Sequence, residues 1–351
     1  MGDCNLDMAP IVKVIIIVKP VSRCMAMLDS CAIEFDLKHR SFKKLSIDEL
    51  LSIDFTTTDS IYWIHSNLNQ VDIHKKLIAK CHLPDDVVKL CDQMDSIPTT
   101  MDTDESLTIQ FQCLMSTELK QKTAVNFGNL ILHLTSTFCF TASSDSIPVL
   151  LEFMESSKKS LRYAKTPCFM VFLILDIVIN DYAKMLYHFD VISDQMDLRV
   201  RKSHKNIYNE VIRIKQQLMK IKRSLIALRE ILLRISSRKI SVVSKECRVS
   251  LSHLANHSHL VVHEVDSVRD ILNSLLDQIE NNLMQSMTQT MRILTALSMV
   301  FLPLTLIAGI YGMNFHWIPE LSWSYGYFYA LGLMITCASI ILYIFKKMKW
   351  F

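Results

Sequence analysis

The chain has 351 residues, of which 50% are hydrophobic, and its 38 basic and 35 acidic side chains leave a net charge of +3. This composition is more apolar than that of an ordinary soluble domain, and the excess lies in two uncharged stretches near the C-terminus. Ten cysteines are scattered singly without a CxxC pair, which argues against a zinc ribbon, predicts no disulfide framework and fits a reduced compartment.

Residues 1–166 are predicted to form a cytosolic α/β domain. The N-terminus is acidic and polar and its first apolar run is short, so we expect no signal peptide and expect the first 290 residues to stay where they are made. Strand-like segments rich in β-branched and aromatic residues alternate with helix-like segments. The predicted strands are Lys13–Lys19, Ile61–His65, Leu107–Leu114 and two runs within Val125–Thr141, and the predicted helices are Ser46–Ser52, Asn69–Cys81 and Ile147–Tyr163.

Residues 167–292 are predicted to form a helical hairpin and a stalk that together make a funnel. No glycine or proline lies between Pro167 and Pro303, and apolar residues recur there at helical spacing. We predict helices at 168–200, 204–236 and 248–311. The last helix runs into an apolar stretch and would be on the order of 90 Å long, which identifies it as a stalk.

Charge is segregated along the chain. Residues 199–248 carry 15 Lys or Arg against three Glu, and residues 85–105 carry seven acidic side chains against Lys89. Each run is a solvated face, or, in the basic hairpin, a surface for anionic lipid or nucleic acid. The helical periodicity of leucines in the basic run favours a packed hairpin over a nucleic-acid arm, so we expect no nucleic-acid partner.

Two charge-free runs within 293–345 predict two transmembrane helices. They cover 293–311 and 325–345, and each is long enough to cross a bilayer. Two buried core helices are the alternative, although such long charge-free runs are rare in soluble cores. The tail 346–351 has three lysines, whereas the loop 312–324 has neither Lys nor Arg. The positive-inside rule therefore places both termini in the cytoplasm of a multi-pass inner (plasma) membrane protein.

One face of the first predicted span is a candidate pore lining. A subunit with two spans cannot enclose a pore, so a pore needs a ring of subunits. Helical steps of three or four residues define an uncharged face that is apolar to weakly polar. If this face lines a pore, the pore closes by losing its water; otherwise the face packs against neighbouring helices. This face consists of Met291, Leu294, Ser298, Leu302, Thr305 and Gly309.

The polar interruption Gly312-Met313-Asn314 ends this span. Gly312 lets the backbone leave the helix, and backbone carbonyls freed at membrane depth are tolerated where they are buried or line water. A ring of Asn314 side chains offers neutral oxygens to Mg²⁺, which gives up its waters reluctantly. Glu320 in the outer loop is positioned to concentrate cations there.

The segment IAGIYGMNF, Ile307–Phe315, followed by IPEL, Ile318–Leu321, resembles the CorA family of divalent-cation channels. The resemblance implies an α+β membrane protein with an N-terminal cytosolic α/β sandwich, a long stalk-helix funnel and two C-terminal transmembrane helices. It also implies a homopentamer that admits Mg²⁺, with Co²⁺ or Ni²⁺ also passing, and no organic cofactor. Asn314 matches the selectivity asparagine of that family, and Met291, Leu294 and Thr305 fall on its pore-lining face.

The resemblance further implies regulation by Mg²⁺ bound between subunits, where stalk acids meet acids of the α/β domain. The corresponding stalk turns carry histidines, which prefer Zn²⁺, Ni²⁺ or Co²⁺ to Mg²⁺, or which remain unliganded on a wet face. Two pairs have i, i+4 spacing, His253 with His257 and His259 with His263. The candidate regulatory residues are Asp85, Asp86, Asp92, His253, His257, Asp270 and Asp277. Ile318 and Thr288 also depart from the family pattern, which commonly has Met and Asn there.

Other classes of function fit the sequence less well. It contains no GxxxxGK[ST], HExxH or GxSxG motif, so nothing indicates an enzyme or an ATP-driven pump. A two-span anchor for a cytosolic binding module explains the spans but not the Gly-Met-Asn motif. Within transport, the alternative is a ZntB-like zinc transporter of the same family, which the histidines favour.

Overall fold

The computed structural model describes residues 28–55, 60–93, 97–116, 124–160, 166–201, 207–313 and 323–347. Contacts divide the chain into two compact units, Met1–His188 with Gln217–Val265, and Phe189–Gln216 with Asp266–Phe351. The predicted strand at Lys13–Lys19 lies outside the described residues.

The described residues of the first unit contain a seven-stranded mixed sheet. Its strands are β1 Cys31–Asp36, β2 Ser41–Leu45, β3 Ser60–Asn67, β4 Thr99–Asp102, β5 Leu107–Leu114, β6 Phe127–Leu134 and β7 Phe138–Ser143. Their order across the sheet is β2-β1-β3-β7-β6-β5-β4. Only the β3–β7 pairing is parallel among these, with Tyr62 opposite Phe138, and the remaining pairings are antiparallel.

Four helices accompany the strands in the described part of the α/β domain: α1 Ile47–Ser52, α2 Val71–Cys81, α3 Asp85–Gln93 and α4 Pro148–Ser160. A capping box starts α1, because Glu49 N donates to Ser46 Oγ while Ser46 N donates to the Glu49 carboxylate. His82 ends α2 in the left-handed conformation, with φ 47°. These local signals fix where the short helices begin and end.

The core lies on both faces of the sheet. Tyr62, Ile64 and Phe140 belong to an apolar cluster that also contains buried residues of the three short helices α1, α2 and α3. Trp63 alternates to the opposite side of β3, where its ring meets Phe153 of α4 edge-on at 5.1 Å. A helix layer therefore covers each face of the sheet at β3.

Three buried histidines are paired with hydroxyl groups inside this domain. His65 contacts Thr141 at 3.2 Å, His133 contacts Thr108 at 2.8 Å, and His74 contacts Ser66 at 2.8 Å. Burial lowers the pKa of His65 and of His133 to about 4. Both rings are therefore neutral at physiological pH and act as packed polar residues of the core.

Long helices form the rest of the described chain: α5 Cys168–Arg201, α6 Ile207–Ser237, α7 Lys245–Tyr311 and α8 Gly326–Lys347. The predicted boundaries of the first three are confirmed to within three residues. In α6, leucines and isoleucines such as Leu218, Ile221 and Leu225 are buried, while Lys220 and Arg223 are exposed. The basic run is thus the outer side of a packed helix. The 67 residues of α7 extend about 100 Å.

The sequence predicted no disulfide framework, yet the described structure contains one disulfide. Cys168 and Cys247 form a disulfide with a Cα–Cα distance of 6.4 Å, and both residues are buried. Cys168 is the first residue of α5 and Cys247 lies in the first turn of α7. The fold brings these two helix starts together across 79 residues of sequence, a separation that matches no cysteine motif.

Candidate functional site

Two described helices are long and apolar enough to cross a membrane, α7 through its C-terminal part and α8. Only 6% of the residues in the most apolar window of each helix are buried. A core helix of a soluble protein would be mostly covered by its own chain, so these two surfaces are free to meet lipid or other subunits.

The predicted pore face lies on one continuous helix. Its residues from Met291 to Gly309 all belong to α7, and all of them are exposed in the single chain. Ser298 Oγ donates to Leu294 O at 3.0 Å, and Thr305 Oγ1 donates to Phe301 O at 2.8 Å. Each hydroxyl hydrogen is used within the helix, so this face presents apolar groups and hydroxyl lone pairs.

Pro303 lies inside α7, next to Leu302 on this face. A proline has no amide hydrogen, so it cannot donate to the carbonyl of Met299 four residues earlier. The helix nevertheless continues to Tyr311. The carbonyl of Met299 therefore lacks its usual helical donor, one turn before Leu302 and Pro303.

The end of α7 is set by hydrogen bonds at Gly312. Gly312 N donates to Ala308 O at 2.9 Å, and Met313 N donates to Ile310 O at 3.3 Å. Gly312 is outside the left-handed region, and a Cβ there would lie 3.1 Å from Ala308 O. A side chain at this position would crowd the Ala308 carbonyl, and no positive φ demands glycine here. Asn314 and Glu320 lie outside the described residues.

Aromatic side chains gather where α8 begins. The Trp323 ring lies 5.9 Å from that of Tyr329 and 6.5 Å from that of Tyr325. Gly326 N donates to Trp323 O at 3.0 Å, which holds this turn against the helix. Clusters of Trp and Tyr are typical of membrane–water interfaces, whereas Lys346 and Lys347 occupy the last turn of the same helix.

The predicted acidic sensor residues Asp85, Asp86 and Asp92 lie on α3 and are exposed. Asp86 pairs with Lys89 at 3.5 Å. Burial lowers the pKa of the nearby His74, and the charge of Asp92 opposes that shift. Asp95 of the same patch lies outside the described residues. These carboxylates present an open acidic surface.

The predicted stalk residues do not assemble a metal site in the part of the chain that the structure describes. His253 is exposed, and Asp277 is also exposed. Asp270 pairs with Arg269 at 3.1 Å. No group of three or more His, Cys, Asp or Glu side chains close enough to hold a metal occurs among the described residues.

One carboxylate beside the stalk histidines escaped the sequence prediction. Asp176 of α5 is half-buried, and burial raises its pKa, while the charge of His257 and a 3.2 Å hydrogen bond from Asn180 act in the opposite direction. The signal in the sequence is an acid inside the otherwise apolar run Phe169–Ile179. In the second histidine pair, unlike the pair His253 and His257, the two rings are in contact: the centroids of His259 and His263 lie 4.5 Å apart.

Comparison with known proteins places this geometry in a family. The family model described as CorA-like Mg²⁺ transporter protein matches residues 58–347. The chain belongs to this family. The match includes the sheet from β3 onward, all the long helices and the Gly312-Met313-Asn314 motif.

Members and structural neighbours of the CorA family show how far the likeness extends. The cobalt/magnesium transport protein CorA of Thermotoga maritima is 30% identical over 183 residues, which is 52% of this chain. The chain spans about half, 52%, of that relative's own length.

Two solved structures share the fold. The complete CorA magnesium transporter of Methanocaldococcus jannaschii has a TM-score of 0.80 at 20% identity, covering 93% of this chain and 100% of that one. The ZntB cytoplasmic domain of Vibrio parahaemolyticus has a TM-score of 0.58 at 12% identity, covering 74% and 100%. The predicted CorA architecture is therefore confirmed: an α/β domain with a mixed sheet, a long helix and two C-terminal apolar helices.

Proposed function

We propose that this chain forms a homopentameric CorA-type channel for passive uptake of Mg²⁺, with Co²⁺ and Ni²⁺ also passing. The C-terminal part of α7 lines the pore, and Gly312, Met313 and Asn314 form the outer selectivity site. Both termini lie in the cytoplasm. Uptake follows the ion gradient and the membrane potential, which contributes about 2 × 2.3 kcal/mol per 100 mV for a divalent ion.

The observation that carries this proposal is the family match together with the uncharged, exposed face of α7 that leads to Gly312. A face with apolar groups and internally satisfied hydroxyls passes water and hydrated ions only when wetted, which suits a gated channel. The resemblance of the Gly-Met-Asn motif supports Asn314 as the residue that faces incoming ions. Glu320 in the loop 312–324 supplies a negative charge near that mouth.

The test is ion flux into liposomes that contain the purified full chain. We expect Mg²⁺ uptake by the wild type that increases with an inside-negative potential. Asn314→Ala is expected to lose Mg²⁺ selectivity or flux, since the ring of carboxamide oxygens is removed. Asn281→Ala, on the exposed surface of the α7 stalk, is the matched control. Unchanged Mg²⁺ flux and selectivity in Asn314→Ala would remove the selectivity role.

Gating by intracellular divalent ions is a second element of the proposal. Among the described residues, the acids of α3 and the carboxylates and histidines of α7 form no group of three or more that could hold a metal, so we place the regulatory ion between neighbouring subunits. Limited proteolysis with and without Mg²⁺ tests this. We expect Mg²⁺ to slow cleavage in the α/β domain, and Asp85→Asn with Asp86→Asn to reduce that protection. Equal cleavage rates in the wild type with and without Mg²⁺ would count against retained sensing.

A ZntB-like zinc transporter is the second candidate, favoured by the contacting histidines His259 and His263 and by the shared fold. The same liposomes separate the two. Zn²⁺ flux that depends on an imposed proton gradient, with little Mg²⁺ flux, would identify the zinc transporter. Mg²⁺ flux that responds to potential alone identifies the channel.

A further inference from the structure

We propose that His259 and His263 form a binding site for a transition-metal dication, such as Zn²⁺ or Ni²⁺, on the exposed face of α7. Both side chains are exposed, and both belong to the first compact unit. Their ring centroids are 4.5 Å apart and their planes meet at 83°. None of the residues assigned to the pore takes part. The same contact favours the zinc-transporter alternative, but the site itself requires neither that function nor the channel.

The geometry suits chelation by two imidazoles. Side chains four residues apart lie on the same face of a helix, as do the two zinc-binding histidines of an HExxH helix. A metal shared by two imidazoles lies about 2.1 Å from one nitrogen of each, which separates the ring centroids by roughly 5 Å at the tetrahedral angle. In this structure the rings meet edge to face at 4.5 Å, so a rotation of the side chains would aim one nitrogen of each at a shared metal, and the helix itself has no need to deform.

The neighbouring pair His253 and His257 shows that spacing alone does not produce this contact. These residues are also four apart on α7, yet no ring contact joins them in the described structure. His257 is half-buried and lies near Asp176, whereas His253 is exposed. The second pair is therefore a matched control with the same chemistry and spacing but a different arrangement.

The donor set determines the class of metal. Imidazole nitrogen binds Zn²⁺, Ni²⁺, Co²⁺ and Cu²⁺, whereas Mg²⁺ prefers oxygen and keeps its waters. Within the described residues no third His, Cys, Asp or Glu completes the site. The remaining coordination positions are therefore open to water, and binding is expected to be reversible.

Site-resolved chemical modification of the full chain in detergent tests the proposal. Diethyl pyrocarbonate modifies accessible histidines, and peptide mass spectrometry reads the rate at each one. At free Zn²⁺ about ten times the Kd, about nine-tenths of the sites are filled, so His259 and His263 should react about tenfold more slowly. The same concentration of Mg²⁺ should leave both rates unchanged.

Single variants distinguish chelation of the metal by both histidines from protection that involves only one of them. His259→Gln is expected to abolish Zn²⁺ protection of His263, and His263→Gln to abolish protection of His259. His253→Gln should leave both protections intact. The proposal is overturned if Zn²⁺ fails to protect the wild type, if Mg²⁺ protects it equally, or if His263 stays protected in His259→Gln. The comparison of Zn²⁺ with Mg²⁺ uses only the wild type, so it does not depend on a variant folding. Ion flux is measured separately, so failure of the histidine site can be told apart from failure of the channel proposal.

Discussion

Asp181 Oδ1 accepts a hydrogen bond from Lys184 Nζ at 2.8 Å, with 3% of the Asp181 side chain exposed and 41% of the Lys184 side chain exposed. Glu152 lies 3.6 Å from the same amine. Burial raises the pKa of Asp181 to about 6, against the opposing effect of Lys184. Burial also lowers the pKa of Lys184, but the hydrogen bond and the charge of Asp181 outweigh that and raise it. The buried acid is thus the partner that titrates near neutrality.

Asp181→Asn is expected to become more stable relative to the wild type as the pH rises from 4 to 7. The pKa of Asp181 in the folded state, about 6, exceeds the ordinary value of 3.8. At a pH between these two values, the folded state holds a proton that the unfolded state has released. Raising the pH therefore costs the wild type up to about 3 kcal/mol through this group. Thermal unfolding midpoints of both proteins at several pH values measure the difference.

Asp36→Asn provides the control of opposite sign. Hydrogen bonds from the backbone and ring of His39 lower the pKa of Asp36, so its contribution to stability is present above the ordinary pKa and is lost as the pH falls. A gap between Asp181→Asn and the wild type that stays constant over this pH range would contradict the interpretation of Asp181.

Tyr182→Phe is expected to lower the free energy of unfolding by about 1–2 kcal/mol. Tyr182 is fully buried, and its hydroxyl donates to Gln112 O at 3.0 Å, so the substitution leaves that carbonyl without this donor. Tyr187→Phe removes the same atom from a side chain that is 68% exposed and should have little effect. Denaturant titration of both variants is the measurement, and equal losses would argue against a specific role for the Tyr182 hydroxyl.

Gly312→Ala is expected to reduce Mg²⁺ flux in the liposome assay. The added Cβ would lie 3.1 Å from Ala308 O, a backbone atom, so the last turn of α7 must shift by a few tenths of an ångström beside the proposed selectivity site. Gly332→Ala in α8 is the matched control, because nothing beyond the backbone of its own helix turns lies within 4 Å of the added atom in this chain. If Gly332→Ala reduces flux as strongly as Gly312→Ala, the close approach at Gly312 is not the cause.

Leu302→Ala is expected to raise Mg²⁺ leak under closed conditions. Removing a leucine from an apolar constriction lowers the free-energy barrier to wetting by roughly 1.5–3 kcal/mol, which corresponds to about a tenfold or larger increase in rate. Leu304→Ala removes the same side chain from nearly the opposite side of α7, where leak should stay near the wild-type value. Equal leak in both variants would mean that Leu302 does not line the pore.

The sequence predicted the elements whose pattern is strong. The segment Leu107–Leu114 coincides with β5, and the breaker-free run after Pro167 contains α5, α6 and α7. It missed β1 and β2, because Glu34 and Asp36 interrupt an otherwise apolar strand and Ser41–Leu45 is mostly polar. It interpreted α3 only as an acidic patch, although Val87 and Cys91 are buried one turn apart on its inner side.

The candidate site was predictable to the extent that it depends on one helix. Spacing placed the residues from Met291 to Gly309 on one face, and α7 keeps them there. The reason for glycine at position 312 was not predictable, since it depends on the approach of Ala308 O. Asp176 and the Cys168–Cys247 disulfide depend on contacts between distant segments, which periodicity does not encode.

The disulfide between Cys168 and Cys247 also turns the intervening segment, with all of α5, all of α6 and the start of α7, into a closed covalent ring. A protease cut anywhere inside that ring leaves the two pieces joined as one molecule until the disulfide is reduced. A nicked chain would therefore migrate at full mass on a non-reducing gel and separate into two fragments only after a thiol is added.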